Sequence, residues 1–355
     1  MKNNYLKLAP EVYSSKSFKN QKTQFHKDTM ILVSEQDIID TYSKDEQFSC
    51  KKYAEYLKLM KENPSFGYKR CAKILGVPQG RTRWRHTKGE KKAVPLALKT
   101  VEKLKKYELL PFTSNHKHAE DVFRMLGMIY GDGCVDRNLN TLSFISSVKE
   151  NIDLWENDFV KVFPFIKDKL SLIHVGEYGH AFCIRTCDRA VIRFFVVLGV
   201  PVGDKVIVLY SFPKKFESLS KKLILAFFDG LFAAEVSIPR FVSTKYGKSH
   251  FKNFSFSLSK HNKLEFSHKE FLTGIMNHME KLGIQCTGFI GVQNYKNSRR
   301  KDRKKSLGYR IFFRGNSKNV QKFHKLFPLK YCVEKKQKFD GEIKKCLDEL
   351  KGERN

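Results

Sequence analysis

At 355 residues the chain has room for two or three domains, and its 41% hydrophobic content with 30 phenylalanines excludes a disordered protein. Lys and Arg number 67 against 37 Asp and Glu, a net charge of +30, which implies a polyanionic partner, nucleic acid before membrane. The opening "MKNNYLKLAP" holds no apolar run of signal-peptide length and no later stretch reads as a membrane span, so neither secretion nor a membrane location is expected.

Residues 1–45 read as a polar extension, with "MILVSEQDIIDTYS" (30–43) as one short helix. A helical block follows over 46–113. Within it, "YKRCAKILGVPQGRTRWRHTKG" (68–89) sets Ala72 and Gly76 four apart, then breaks at Pro-Gln-Gly before a basic segment. A helix-turn-helix needs that order: a small residue where two helices cross, then a glycine for the left-handed turn. The second helix would offer Arg81, Arg83 and Arg85 to phosphates or base edges, with Trp84 in the packing. This segment resembles helix-turn-helix units of the resolvase or sigma-like kind. "LALKTVEKLKKYELLPF" (96–112) is a further amphipathic helix stopped by Pro111, and 113–118 is a linker.

From residue 119 the pattern turns to mixed helix and strand. In "MLGMIYGDG" (125–133) Gly127 and Gly131 share one helical face, and Asp132 follows. In "FDGLFAAEV" (228–236) Gly230 and Ala234 repeat the spacing, and Glu235 follows 103 positions after Asp132. Two helices with small residues at their contact approach more closely than the usual 8–10 Å or so, which brings both acids out at one end. Each motif is then followed by two strands, a helix, two strands and a helix, an internal repeat of about 100 residues. Eight cysteines without a CxxC pair read as idle thiols in a reducing compartment, not as a zinc site.

The two nonamers resemble the LAGLIDADG signature, and the repeat resembles the single-chain homing endonucleases that carry two copies of it. The resemblance implies an α+β fold: tandem pseudo-twofold αββαββα repeats with saddle-shaped antiparallel sheets, preceded by a small all-α helix-turn-helix domain. The boundaries expected are 1–45 for the extension, 46–113 for the helix-turn-helix, 119–215 and 216–340 for the repeats, and 341–355 for a tail. The resemblance further implies a monomeric, site-specific double-stranded DNA endonuclease of intron homing. Asp132 and Glu235 would hold Mg²⁺, with Mn²⁺ substituting, across a helix interface of Gly127, Gly131, Gly230 and Ala234. Oxygen donors favour those ions over zinc. An active-site lysine from each half is implied, at Lys205 in "VGDKV" and at Lys336 in "VEKKQK", with Lys335 the alternative. Val236 departs from the glycine that follows the acid in the family, and Gly133 keeps it.

For DNA recognition, alternation in "NFSFSLS" (253–259) sends Phe254, Phe256 and Leu258 to the core and Asn253, Ser255 and Ser257 to the major groove. Arg240, Ser243 and Lys245 are further candidates. In "NSRRKDRKKS" (297–306), Arg299, Arg300, Lys301, Arg303, Lys304 and Lys305 read as a phosphate clamp. Asp136 reads as a strand residue facing groove or solvent, and Asp229 as peripheral to the metal. Two other readings remain: a non-catalytic DNA-binding regulator, and a maturase that binds intron RNA. The expected location is cytoplasmic with the nucleoid, or organellar.

Overall fold

The computed structural model describes residues 29–79, 94–175, 180–243, 249–296 and 305–352. It opens with strand β1 (Ile31–Val33), helices α1 (Glu35–Asp40), α2 (Lys44–Glu62), α3 (Tyr68–Leu75) and α4 (Leu96–Lys106), and strand β2 (Phe112–Thr113). Next come α5 (Ala119–Gly131), β3 (Gly133–Val135), β4 (Leu142–Ser146), α6 (Lys149–Val162), β5 (Leu170–Val175), β6 (Ala181–Thr186) and α7 (Arg189–Val197). The remainder is α8 (Lys221–Glu235), β7 (Val236–Ser237), a hairpin of β8 (Arg240–Val242) and β9 (His250–Lys252), then β10 (Ser255–His261) and α9 (Glu265–Lys281). The strands β11 (Cys286–Lys296) and β12 (Lys305–Phe313) precede α10 (Ser317–Leu326) and α11 (Val333–Gly352).

Two four-stranded sheets are built in the order β3-β4-β6-β5 and β7-β10-β12-β11, with every pairing antiparallel. The fold is thus mixed α/β, and both sheets follow a helix, two strands, a helix and two more strands. Alternation explains which face each sheet buries. Leu142 and Phe144 of β4 are buried, with the Phe144 ring 5.6 Å from Trp155 of α6. On β10, Phe256 and Leu258 are buried, and Phe256 lies 5.6 Å from Phe232 of α8. Helix α8 is apolar on nearly every side, as a helix packed all round must be. Among the described residues no helix is long and apolar enough to cross a membrane.

The amino-terminal region departs from the expected division. Residues 30–43 form a strand and a short helix, and Leu32, Val33 and Ile38 are buried in the main core with Val101, Leu104 and Phe112. They pack on the first sheet's closing helix: Phe112 stacks edge-on to Phe194 at 5.0 Å, and the Arg193 guanidinium lies 3.4 Å over Tyr42. Segment 29–43 is therefore no extension, and α4 belongs with the main core. A second small core, of Tyr56, Cys71, Leu75 and Val77, joins the far end of α2 to α3. Gly76 ends α3 in the left-handed region (φ 61°), the turn glycine that the sequence suggested. Arg81, Arg83 and Arg85 lie outside the described residues.

Nor is the carboxyl-terminal stretch a tail. Residues 341–352 continue α11, where Ile343 and Cys346 are buried and Glu342 accepts the Phe241 amide at 2.6 Å. A modest stability prediction arises at the amino-terminal junction. Asp188 caps α7 by accepting the Ala190 amide at 3.0 Å, and it also pairs with Lys103 of α4. Asp188→Ala is expected to lower stability by about 2 kcal/mol, roughly 1 of it from the cap, as measured by urea unfolding.

Candidate active site at the ends of two central helices

Helices α5 and α8 are held face to face by their glycines. A Cβ on Gly127 would fall 1.9 Å from the Phe227 carbonyl oxygen, and one on Gly230 would fall 1.9 Å from that of Arg124. Gly230 and Phe227 each lie 103 residues after Gly127 and Arg124, so one contact is the other with the helices exchanged. One turn further along, a Cβ on Gly131 would meet the Ala234 Cβ at 2.2 Å and the Glu235 Cγ at 3.3 Å. At Gly127 and Gly230 backbone lies against backbone, and only glycine leaves that room; at Gly131 the space is taken by the Ala234 methyl.

Both acids emerge where the helices end. Asp132 is the C-cap of α5 (φ −90°, ψ −6°), with its amide bonded to the Met128 carbonyl. Glu235 is the last residue of α8 and is half-buried, whereas Asp132 opens to solvent. Burial, and then the charge of Asp132, pushes the Glu235 carboxyl up to about 7, against the pull of Lys205 and Lys335. The Asp132 carboxyl is also raised by its surroundings, with Lys335 and Lys205 drawing it back and Glu334 adding to the rise. Both carboxyls are raised although two lysines face them, so the pair is short of positive charge.

Two lysines stand over the helix ends. Lys205 Nζ donates to the carbonyls of Ile129 (3.3 Å), Tyr130 (3.2 Å) and Gly131. Lys335 Nζ donates to those of Ala233 (2.9 Å) and Ala234. Ala233 and Ala234 are the residues 103 beyond Tyr130 and Gly131, so the two lysines cap corresponding carbonyls. A cation at a helix carboxyl end also complements the helix dipole. Burial lowers the Lys205 amine from its ordinary range, and Glu235 and Asp132 oppose that drop.

Several sequence expectations are corrected by this geometry. Lys336 is exposed, while Lys335, one residue earlier and about 100° round α11, stands at the helix end. Ser255 is buried, paired with Ser237 on one side and Phe312 on the other, so it is not a groove-facing residue. Asp136 caps the turn between β3 and β4, accepting the amides of Asn138 (3.3 Å) and Thr141 (2.8 Å). Asp229 needs no correction: read as peripheral to the metal, it is buried and bound to Arg124 Nε at 2.9 Å and to the Leu329 amide at 2.6 Å.

Arg240, Ser243 and Asn253 are exposed and Ser257 is half-exposed. Lys245, Arg299, Arg300, Lys301, Arg303 and Lys304 lie outside the described residues, as does the side chain of Lys305. The first sheet adds residues that the sequence reading overlooked. Arg185 is exposed and pairs in register with Ser143 on one side and Ser171 on the other, on the face opposite Phe144. Alternation along "AFCIRTC" carried that signal.

No family model matches the chain. One curated relative, the DNA-directed RNA polymerase subunit Rpo1N of Methanocaldococcus jannaschii, is 24% identical over 203 residues, 53% of this chain. The chain spans only 14% of that relative's length. Among solved structures, I-DmoI in complex with DNA and Ca is similar with a TM-score of 0.35 and 14% identity, over 60% of this chain and 95% of that one. The meganuclease I-SmaMI bound to uncleavable DNA follows at 0.32 and 13%, over 57% and 83%. Full-length DUF199/WhiA from Thermatoga maritima matches at 0.33 and 15%, over 69% and 65%. Identities and TM-scores this low assign the chain to no family.

Proposed function

We propose that the protein is a site-specific double-stranded DNA endonuclease of the homing type, built of two pseudo-twofold repeats. What supports this most is the paired arrangement at the helix ends: two acids and two glycine contacts related by the same 103-residue step, with a lysine from each half on carbonyls that are also 103 residues apart. Two scissile phosphates on opposite strands call for two equivalent sets of groups about a twofold axis.

The donor set suits a hard divalent cation. Asp132 and Glu235, the acids at the two helix ends, would be its protein ligands. Mg²⁺ is typically held in that way, by one or two carboxylates with phosphate oxygens and water completing the shell. Bound there, it would neutralise charge on the phosphate and lower the pKa of attacking water. The chain's own residues have separate tasks. Ionised Asp132 and Glu235 orient water at the helix ends, and Lys205 and Lys335 place positive charge beside the phosphates. The closeness of α5 and α8 fixes the separation of the two sets. Arg185 and Ser143 on the first sheet, and Arg240, Ser243, Asn253 and Ser257 on the second half, would contact DNA along the exposed faces. The basic segments at 81–85 and 299–305 would add salt-dependent affinity.

The test is cleavage of a randomised double-stranded DNA library in Mg²⁺ and in Mn²⁺. Discrete cuts that disappear in Asp132→Asn and Glu235→Gln are the expected result. Tight binding without cutting in either metal would turn the reading towards a DNA-binding regulator, and preference for folded intron RNA towards a maturase.

A further inference from the structure

Both lysine-bearing segments lie after the closing helix of their own half, and each is held by a buried polar side chain from the other half. Lys205 follows α7, in a stretch tied to the first sheet by the Gly203 amide on the Val135 carbonyl at 2.8 Å. From the second half, Lys260 at the end of β10 donates to the carbonyls of Lys205 and Val208, the latter at 3.1 Å. Its Nζ rests 3.1 Å from the centre of the Tyr210 ring. The next residue adds a third tie, the His261 amide on the Val206 carbonyl at 2.8 Å.

Lys335 follows α10, and here the first half supplies the hold. Asn151, in the first turn of α6, accepts the Val333 amide at 2.8 Å and donates to Glu334 at 3.0 Å. It also donates to Ser146 at 3.0 Å. Lys260 and Asn151 are each only 2% exposed. Asn151 gives one of its hydrogen bonds to Ser146 of its own half and two to the other half, while Lys260 gives both of the side-chain bonds described above to the other half. A buried amine or amide persists where its hydrogen bonds replace those lost from water. Burial, and then the neighbouring Lys205 charge, holds the Lys260 amine down to about 6, and Asp204 opposes that drop.

We propose that Lys260 and Asn151 are crossed positioning residues, each fixing from one half of the molecule the lysine arm that belongs to the other half. Each clamp then governs one lysine independently. Only its consequence for cutting rests on the endonuclease reading.

The experiment uses the full chain with Lys260→Met and Asn151→Leu, and reads two signals. Acetylation of amines by a reactive ester, followed residue by residue in mass spectra, reports the arms without any need for activity. Lys260→Met should raise labelling of Lys205 several-fold and leave Lys335 within twofold of its original rate, and Asn151→Leu should do the reverse. Lys260→Gln, which keeps a donor and supplies a second variant should Met fail to fold, should restore most of the protection of Lys205. Equal labelling changes at both lysines in either variant, or none, would overturn the clamps. The second signal is strand-resolved single-turnover cutting at the site mapped above. Each variant should slow one strand by tenfold or more, on opposite strands, with nicked DNA accumulating. Equal slowing of both strands would overturn the catalytic use of the clamps. Split labelling in a protein that cuts neither strand would keep the clamps and discard the endonuclease.

Discussion

Alanine in place of Gly127 or of Gly230 is expected to lower the unfolding midpoint by about 3–6 °C, read by differential scanning calorimetry. The added Cβ would sit 1.9 Å from a backbone oxygen on the opposite helix, and no flexible side chain can move aside. The helices must separate, which opens the core around Leu126, Phe227 and Leu231. Overpacking typically costs about 1–3 kcal/mol, and a rigid backbone contact belongs at or above the top of that range. For a chain of this size about 1–2 °C follows each kcal/mol, since the unfolding entropy grows with length. Because the two contacts are one contact repeated, both variants should suffer alike. Gly341 supplies the control. It lies within α11, where a Cβ would meet nothing within 4 Å. Gly341→Ala should raise stability by up to about 1 kcal/mol, since alanine is the better helix former. A Gly127→Ala protein as stable as the unaltered chain would mean that the helices are not packed as described.

Glu235→Gln is expected to abolish cutting, by a factor of about 10³ or more, while making the metal-free protein more stable at pH 8. The two effects have one cause. The folded chain holds the Glu235 carboxyl at about 7, against an ordinary value of 4.5, chiefly because it is poorly hydrated and then because Asp132 faces it. A raised value means that the folded state binds its proton more tightly than the unfolded state. The associated stability is fully present below about pH 4.5 and is lost as pH rises through about 7. At pH 8 the ionised glutamate therefore destabilises the metal-free protein, by at most about 3 kcal/mol at 1.36 kcal/mol per pH unit. Gln removes that term, so the midpoint should rise at pH 8 and stay nearly unchanged at pH 4.5. Mg²⁺ should reverse the order, since an ion that binds the native carboxylates stabilises only the protein that has them. A variant that loses activity with no gain at pH 8 would leave Glu235 as an ordinary solvated acid.

Most of the elements near the site were legible because their signals are local. Period-two alternation located β10, and the small residues four apart located the contact of α5 with α8. The step of 103 residues was visible as repetition. What escaped depended on neighbours distant in the chain. Ser255 alternates correctly, yet β7 and β12 flank it on both sides. Lys260 is polar at a core-facing position, which alternation alone would count as an error. The structure shows it satisfied by carbonyls 52 and 55 residues away. Residues 30–43 read as one short helix in a polar extension, and Leu32, Val33, Ile38 and Tyr42 are buried there because α4 and α7 provide a surface.

The sequence by itself determined the two acids and the glycines that pair them, because a helical face is set by spacing along the chain. It also determined the order of strands and helices around them, through hydrophobic period. The tertiary structure alone decided which of two adjacent lysines stands at the second helix end. It decided too that Asn151 and Lys260 reach across between the halves, and that the two terminal segments join the core. Each of these depends on where a side chain lies relative to residues more than 50 positions away, and no local pattern encodes that relation.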